Sequence, residues 1–130
     1  MTERPFADAE VVVLDVLSPV TPTVPVVTAT PPNFAPPMVQ VQRLGGSDNG
    51  ITDYPNVAVT CYGADRPSAW AMAEQCRQLV LSAAHTEHAD VLVDTASTVT
   101  PAAQLPDPRA DLAVVTALYR LGMRRPRPST

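Results

Sequence analysis

The sequence contains no lysine, so all nine of its strongly basic residues are arginine. They are outnumbered by 13 acidic residues, which gives a formal net charge of −4 at pH 7. Proteins that hold nucleic acid tightly do so largely by neutralising phosphates with basic side chains, so this balance argues against a nucleic-acid-binding protein. It is compatible with a surface past which nucleic acid slides without binding.

Long hydrophobic runs and a cysteine framework are also missing. No apolar run reaches the roughly 20 residues of a membrane-spanning helix, and no signal-peptide pattern opens the chain. We therefore expect no membrane association and synthesis in the cytoplasm. The two cysteines, Cys61 and Cys76, fall on predicted buried faces, where we expect reduced, small apolar side chains rather than a disulfide.

Motifs of catalysis and metal binding are lacking as well. His85 and His88, with Asp90 close by, form the one cluster with metal-ligand character. No third ligand follows the histidine pair at a spacing known from metal sites, so we expect a solvated helix end. The polar segment 47–53 lacks the terminal glutamate of a calcium loop. The Gly45-Gly46 pair has no P-loop lysine after it. We predict that the protein is not an enzyme and has no cofactor and no metal.

What is present is enough apolar material for one core: 45% of 130 residues. The most informative stretch is 56–84. In 56–63, Val57, Val59 and Cys61 alternate with more polar neighbours, which predicts a strand with one buried face. Asp65 can cap the following helix, predicted over 68–84. Its apolar stripe consists of Ala69, Met72, Ala73, Cys76, Leu79, Val80 and Ala83.

The remaining elements are predicted on the same grounds. We expect a helix in 1–17, with a strand at 11–14 as the alternative. Strands are predicted at 24–28, on an edge of the sheet, at 38–44, paired antiparallel with 56–63, from 91 toward 100, and at 110–121, where a helix is the alternative. The segments between them are a flexible loop at 45–50, a connector at 85–89 and a loop at 101–109. The sum is an α+β fold, a mostly antiparallel sheet with two helices packed on one face. Residues 1–121 would form one domain, followed by an arginine-rich tail, 122–130.

Several of these pieces stand in an order that resembles a known family. They are the Val-Gln-Val-Gln-Arg-Leu-Gly-Gly segment at 39–46, Asp53-Tyr54-Pro55, a strand ending in Tyr62-Gly63, the helix over 69–80, Leu-Pro-Asp-Pro at 105–108, and Tyr119-x-Leu121. Over residues 5–121, this order and spacing resemble the tail terminator, or tail completion, proteins of long-tailed bacteriophages.

The resemblance implies a ring-forming structural subunit of the virion, usually in six copies and assembled in the host cytoplasm. Such a ring caps the tail tube, stops its polymerisation and joins the tail to the head–tail connector, while DNA passes through the lumen without specific binding. Other neck ring proteins, of the head-completion or stopper type, and an unrelated dimeric α+β binding module are the alternatives.

Candidate contacts with neighbouring subunits, tube or connector lie in the two predicted loops and the tail. They are Gly45, Gly46, Asp48, Leu105, Asp107, Arg109, Arg124 and Arg125. Trp70, beside the apolar stripe of the helix, is predicted either to pack on the core or to make a subunit contact.

Overall fold

The computed structural model describes residues 5–21, 23–106, 109 and 111–126, and shows two α-helices and six strands. In chain order they are α1 (Ala9–Val16), a 3-10 turn (Ser18–Val20), β1 (Val26–Val27), β2 (Met38–Asp48), β3 (Thr52–Gly63), α2 (Arg66–Leu81), β4 (Thr86–His88), β5 (Val91–Leu105) and β6 (Ala113–Arg124). The α+β fold predicted from the sequence is confirmed.

All six strands belong to one sheet in the order β1-β2-β3-β6-β5-β4. Every pairing is antiparallel except that of the short edge strand β1 with β2. The predicted pairing of 38–44 with 56–63 is confirmed, with Val41 opposite Val59. The last element is a strand, as predicted, and β6 lies in the middle of the sheet between β3 and β5.

The core lies on one side of this sheet, under both helices. The odd-numbered residues of β3 and β6 face it, together with the apolar faces of α1 and α2. Its largest fully buried side chains are Leu17, Leu121, Met123, Val12, Val13, Val39, Val41, Val57, Val80, Val91, Val93 and Val115. The alternation in β3 thus buries one face of the strand.

Helix α2 begins as its sequence predicts. The Asp65 carboxylate accepts a hydrogen bond from the Ser68 backbone N–H at 2.8 Å, and hydrogen bonding to the side chain and the backbone of Ser68 lowers the pKa of Asp65. Gly63, directly before the turn, lies so close to the helix that a Cβ on it would be 2.7 Å from the Ala69 nitrogen. All predicted stripe residues are buried except Leu79, which is half-buried.

Helix α1 is shorter than predicted. It begins at Ala9, with Asp8 as its N-cap, so Pro5 does not lie in its first turn. Residues 1–4 of the predicted helix lie outside the described residues. The alternative of a strand at 11–14 is wrong, because this segment is helical and buries Val12 and Val13 against the sheet.

Four segments predicted to be loop, connector or tail are strand instead. The predicted loop at 45–50 is wrong up to Asp48, where β2 ends, while Asn49 and Gly50 lie in the turn before β3. The 101–109 loop is wrong up to Leu105, where β5 ends, since Pro101 sits at a register irregularity of an outer strand. The connector contains β4, and β6 continues past Leu121 to Arg124. Among the described residues, no helix combines the length and apolar character needed to cross a membrane.

Candidate assembly surface

The sheet face opposite the helices is open over much of its area in the described part of the chain, and Phe34 packs on Tyr62 at one end of it. The even-numbered residues of β2, β3 and β6 point to it, including Gln40, Thr60 and Thr116. The Thr60 and Thr116 hydroxyls hydrogen-bond to each other at 3.0 Å, in register across β3 and β6. We name this side the open face.

A shallow groove of about 250 Å³ crosses the open face. It is lined by Leu44, Ala58, Thr100, Ala103, Leu105, Thr116, Ala117 and Leu118. Leu44 and Leu105, from the outer strands β2 and β5, remain 54% and 45% exposed. Large apolar side chains that line an open groove are typical of an interaction surface, since a monomer gains nothing from exposing them together.

An ion pair joins the two strands of the hairpin that β2 and β3 form. The Arg43 guanidinium makes two parallel bonds to the Asp53 carboxylate, Nη1–Oδ2 at 2.8 Å and Nη2–Oδ1 at 2.9 Å. Asp53 is 3% exposed. Arg43 Nε also donates to the Gly45 carbonyl at 3.0 Å, which fixes the chain where the register shifts.

That register shift depends on glycine. Between Arg43 and Gly46 the β2–β3 ladder contains a bulge, and Gly45 and Gly46 have positive φ angles of 95° and 125°. A Cβ on Gly46 would lie 2.8 Å from the Pro55 Cα and closer still to the Tyr54 carbonyl oxygen. The Gly-Gly pair is therefore the bend of a hairpin rather than a loop tip.

The hairpin turn is compact and carries an exposed apolar side chain. The Asn49 side-chain oxygen accepts from the Ile51 and Thr52 backbone N–H groups at 2.9 and 2.7 Å. Arg125 Nη1 donates to the Gly50 carbonyl at 2.6 Å. With the turn held in this way, Ile51 is 71% exposed.

A second arginine site ties the proline-rich segment to the start of the last strand. Arg109 stacks over the Phe34 ring at 4.9 Å and donates to the Phe34 carbonyl at 2.9 Å. Phe34 in turn meets Tyr62 of the open face edge-on, with ring centroids 4.9 Å apart. Arg109 also binds the Asp111 carboxylate, and this hydrogen bond lowers the pKa of Asp111.

Two arginines near the C-terminus also have partners in the same chain. Arg124 Nε donates to Asp94 Oδ2 at 2.9 Å, a bond that raises the pKa of Arg124. Arg125 lies over the Phe6 ring, 4.3 Å from its centroid, in addition to binding Gly50. These contacts join β6 to β5, to the hairpin turn and to the segment before α1.

Comparison with known proteins decides the family. Residues 5–130 match the family described as phage tail termination protein. The chain belongs to that family. The resemblance on which the sequence analysis rested is thereby confirmed, and the protein is a structural component of a phage tail and thus of the virion.

A solved structure supports the fold assignment. A chain from the structure described as "Virion of native gene transfer agent (GTA) particle" superposes with a TM-score of 0.60 at 18% identity, covering 91% of this terminator chain and 87% of that chain. At this identity, the likeness shows the fold. No curated protein matches the sequence.

The candidate contact residues of the terminator are distributed over three places. Gly45, Gly46 and Asp48 lie on β2 in the exposed part of the hairpin, and Leu105 lies at the end of β5 beside the groove. Asp107 lies outside the described residues. The hairpin and Leu105 are thus part of or next to the open face, whereas Arg109, Arg124 and Arg125 bind elements of their own chain.

The contact residues predicted from the sequence include Leu105 but not the other apolar side chains of this surface. Ile51 directly follows the predicted flexible loop at 45–50, and Ala58 and Leu118 lie on the less apolar side of alternating strands. The alternation of the strands could have identified Ala58 and Leu118. Because Val57 and Tyr119 are buried, their neighbours Ala58 and Leu118 must face the other side of the sheet.

The histidine cluster is not a helix end. His85 precedes β4 and His88 is its last residue. His88 Nδ1 lies 2.9 Å from Asp15 Oδ2, and Nε2 lies 2.8 Å from Thr86 Oγ1, at a cleft between α1, the end of α2 and β4. In the part of the chain that the structure describes, no group of three or more His, Cys, Asp or Glu side chains could hold a metal ion.

The two thiols and Trp70 belong to the core side. Cys61 and Cys76 are buried and free, and a hydrogen bond with Cys76 together with burial raises the pKa of Cys61. Burial also raises the pKa of nearby Tyr119 to about 12. Trp70 packs half-buried against the core, with its indole N–H 3.4 Å from Gln104 Oε1, which favours the core alternative.

Proposed function

We propose that this protein forms a closed ring, of six copies by analogy with the resembled family, that caps the phage tail tube. The ring stops polymerisation of tube protein and presents its other side to the head–tail connector. The observation that carries this proposal is the family match over residues 5–130. An apolar groove and an exposed hairpin turn give the chain surfaces suited to assembly.

The hairpin is our first candidate for contact with the tube or a neighbouring subunit. The Arg43–Asp53 ion pair joins its two strands, and its turn carries Ile51 at 71% exposure. Gly45, Gly46 and Asp48 contribute backbone and one charge to the same element. A rigid support for an exposed apolar side chain is the arrangement of an interface anchor.

The remaining candidate residues have secondary roles in this proposal. Leu105 contributes to the groove, and Asp107 follows it in the chain. Arg109, Arg124 and Arg125 shape the surface through their own-chain contacts and present the rest of their charge to an acidic neighbour. The proposed role requires neither catalysis nor a cofactor, and assembly would take place in the host cytoplasm.

The deciding experiment combines solution mass with tube binding. We expect multi-angle light scattering of the purified protein, alone or with tail tubes of the same phage, to reveal a ring that negative-stain images place at tube ends. Ile51→Asp should weaken tube-end binding by about tenfold or more, because it places a charge at an apolar contact. Val11→Asp, at an exposed apolar position on α1 (49% exposed), is the matched control.

Two outcomes would favour the alternatives. A ring that binds the portal or connector and ignores tube ends would identify a head-completion or stopper protein. A strict dimer that binds neither would contradict the terminator role and leave the dimeric binding module.

A further inference from the structure

One outer edge of the sheet is uncovered and uncharged. Strand β4 pairs with β5 only at Val91–Val93, so among the described residues no strand covers the outer side of 95–105. These eleven residues contain no charged side chain. Soluble proteins usually protect such an edge with charges; here Pro101 interrupts the strand, and the Arg66 guanidinium contacts it at Gln104, near its end.

The opposite edge is blocked along most of its length. The Val39 N–H of β2 donates to the Pro25 carbonyl at 2.9 Å, and β1 pairs at Val39 and Gln40. The Arg43 N–H donates to the Glu10 carboxylate at 2.9 Å, so a side chain from α1 occupies the edge there. What lies outside these contacts on β2 is 44–48, the outer part of the hairpin, in which the Gly45 carbonyl already accepts from Arg43 Nε.

The directions of the strands make these two edges compatible in neighbouring copies. The four long strands, in the order β2-β3-β6-β5, are antiparallel at each step. Because their number is even, β5 of one copy and β2 of a copy placed beside it in the same orientation run in opposite directions. Two different patches would then meet in the same way at each junction, and such a heterologous contact can close a ring.

We propose that the outer edge of β5 in one subunit pairs antiparallel with residues 44–48 of β2 in the next. Pro101 cannot donate to a ladder, so the proline-free stretch is 95–100, which is long enough for the five residues of the hairpin and has one register irregularity, between Thr98 and Thr100. Leu44 of the neighbour would then stand beside the apolar groove and extend it from one subunit to the next. This inference rests on the proposed ring and identifies its subunit contact.

Hydrogen–deuterium exchange of the full chain, before and after ring assembly, tests the pairing. Backbone N–H groups that enter a ladder exchange more slowly, so we expect about tenfold or more slowing in both 95–100 and 44–48. A ring with unchanged exchange in these two segments would overturn the pairing while leaving the proposed function intact. A chain that forms no ring, even on tube ends, would overturn both.

A pair of lysine variants provides the independent test. Thr98→Lys places a charge on the exposed edge of β5 and should reduce the ring fraction at a fixed concentration by about tenfold. Gln75→Lys, exposed on α2, adds the same charge away from both edges and should assemble like wild type. Circular dichroism melting checks that both variants are folded, and equal assembly of the two folded variants would contradict the proposal.

Discussion

Asp53 shows how one side chain determines the orientation of the hairpin. Replacing it by Asn keeps the shape but removes the charge that binds Arg43 through two bonds of 2.8 and 2.9 Å. Because Asp53 is buried and Arg43 only partly exposed, we expect a loss of about 1–3 kcal/mol in the free energy of unfolding. Urea denaturation measures it.

The control for this substitution lies in the same hairpin. Asp48 is exposed and accepts one hydrogen bond, from the Gly50 N–H, that Asn can also accept. Asp48→Asn should therefore change stability by less than about 0.5 kcal/mol. Equal effects of the two substitutions would show that the Arg43–Asp53 pair does not hold the hairpin.

Alanine substitutions at the adjacent Gly45 and Gly46 distinguish the cost of backbone strain from the cost of steric overlap. Gly45 and Gly46 both have positive φ, but a Cβ added to Gly45 would have no neighbour within 4 Å, whereas one added to Gly46 would meet backbone atoms of β3. Gly45→Ala should cost about 1–2 kcal/mol from strain alone. Gly46→Ala should cost at least about 1 kcal/mol more, because overlap is added. Thermal unfolding of the two variants gives the comparison, and equal losses would contradict the tight approach.

At the scale of elements, the cap of α2 predicts a pH dependence. The pKa of Asp65 is lowered in the folded protein by its bond to Ser68, so folding favours the ionised carboxylate. The stabilisation is complete above the ordinary pKa of aspartate, about 3.9, and is lost as the pH falls through the lower folded value. The difference in melting temperature between wild type and Asp65→Ala should be largest near neutral pH and shrink below about pH 4.

The helices and the central strands were predictable because their patterns are local. Asp65, Pro67 and the stripe from Ala69 to Ala83 specify α2 without reference to the rest of the chain. The longer strands were not predictable in this way. In the hairpin, Gly45 and Gly46 resemble a loop until the distant Asp53 and Tyr54 are known to lie across from them.

The full length of strand β5 was not predicted, for a related reason. A proline normally ends a strand, and Pro101 is tolerated because the outer edge of β5 has no partner in the described chain and the register is irregular there. The candidate contacts Gly45, Gly46, Asp48 and Leu105 were therefore predicted on loops, whereas they lie on strands. The groove on the open face could not be predicted without the fold, since the residues that line it come from four strands.

At the scale of the whole molecule, the arrangement of charge predicts how strongly the proposed ring binds DNA. Among the described residues, four arginines form ion pairs with carboxylates: Arg43 with Asp53, Arg77 with Glu74, Arg109 with Asp111 and Arg124 with Asp94. These pairs and the net charge of −4 both reduce the attraction of the chain for phosphates. We expect double-stranded DNA to bind the assembled protein more weakly than about 100 μM at 150 mM salt, measured by fluorescence anisotropy.

Two neutralising variants test whether pairing, rather than net charge alone, keeps the surface inert. Asp94→Asn and Asp48→Asn each remove one negative charge, but only the first frees an arginine from its carboxylate partner. We expect Asp94→Asn to tighten DNA binding at low salt by severalfold, with a steeper dependence on salt concentration, and Asp48→Asn to change it little. Equal effects would attribute the weak binding to net charge. Micromolar binding by the wild type would contradict the proposal that DNA passes through a ring of these subunits without binding.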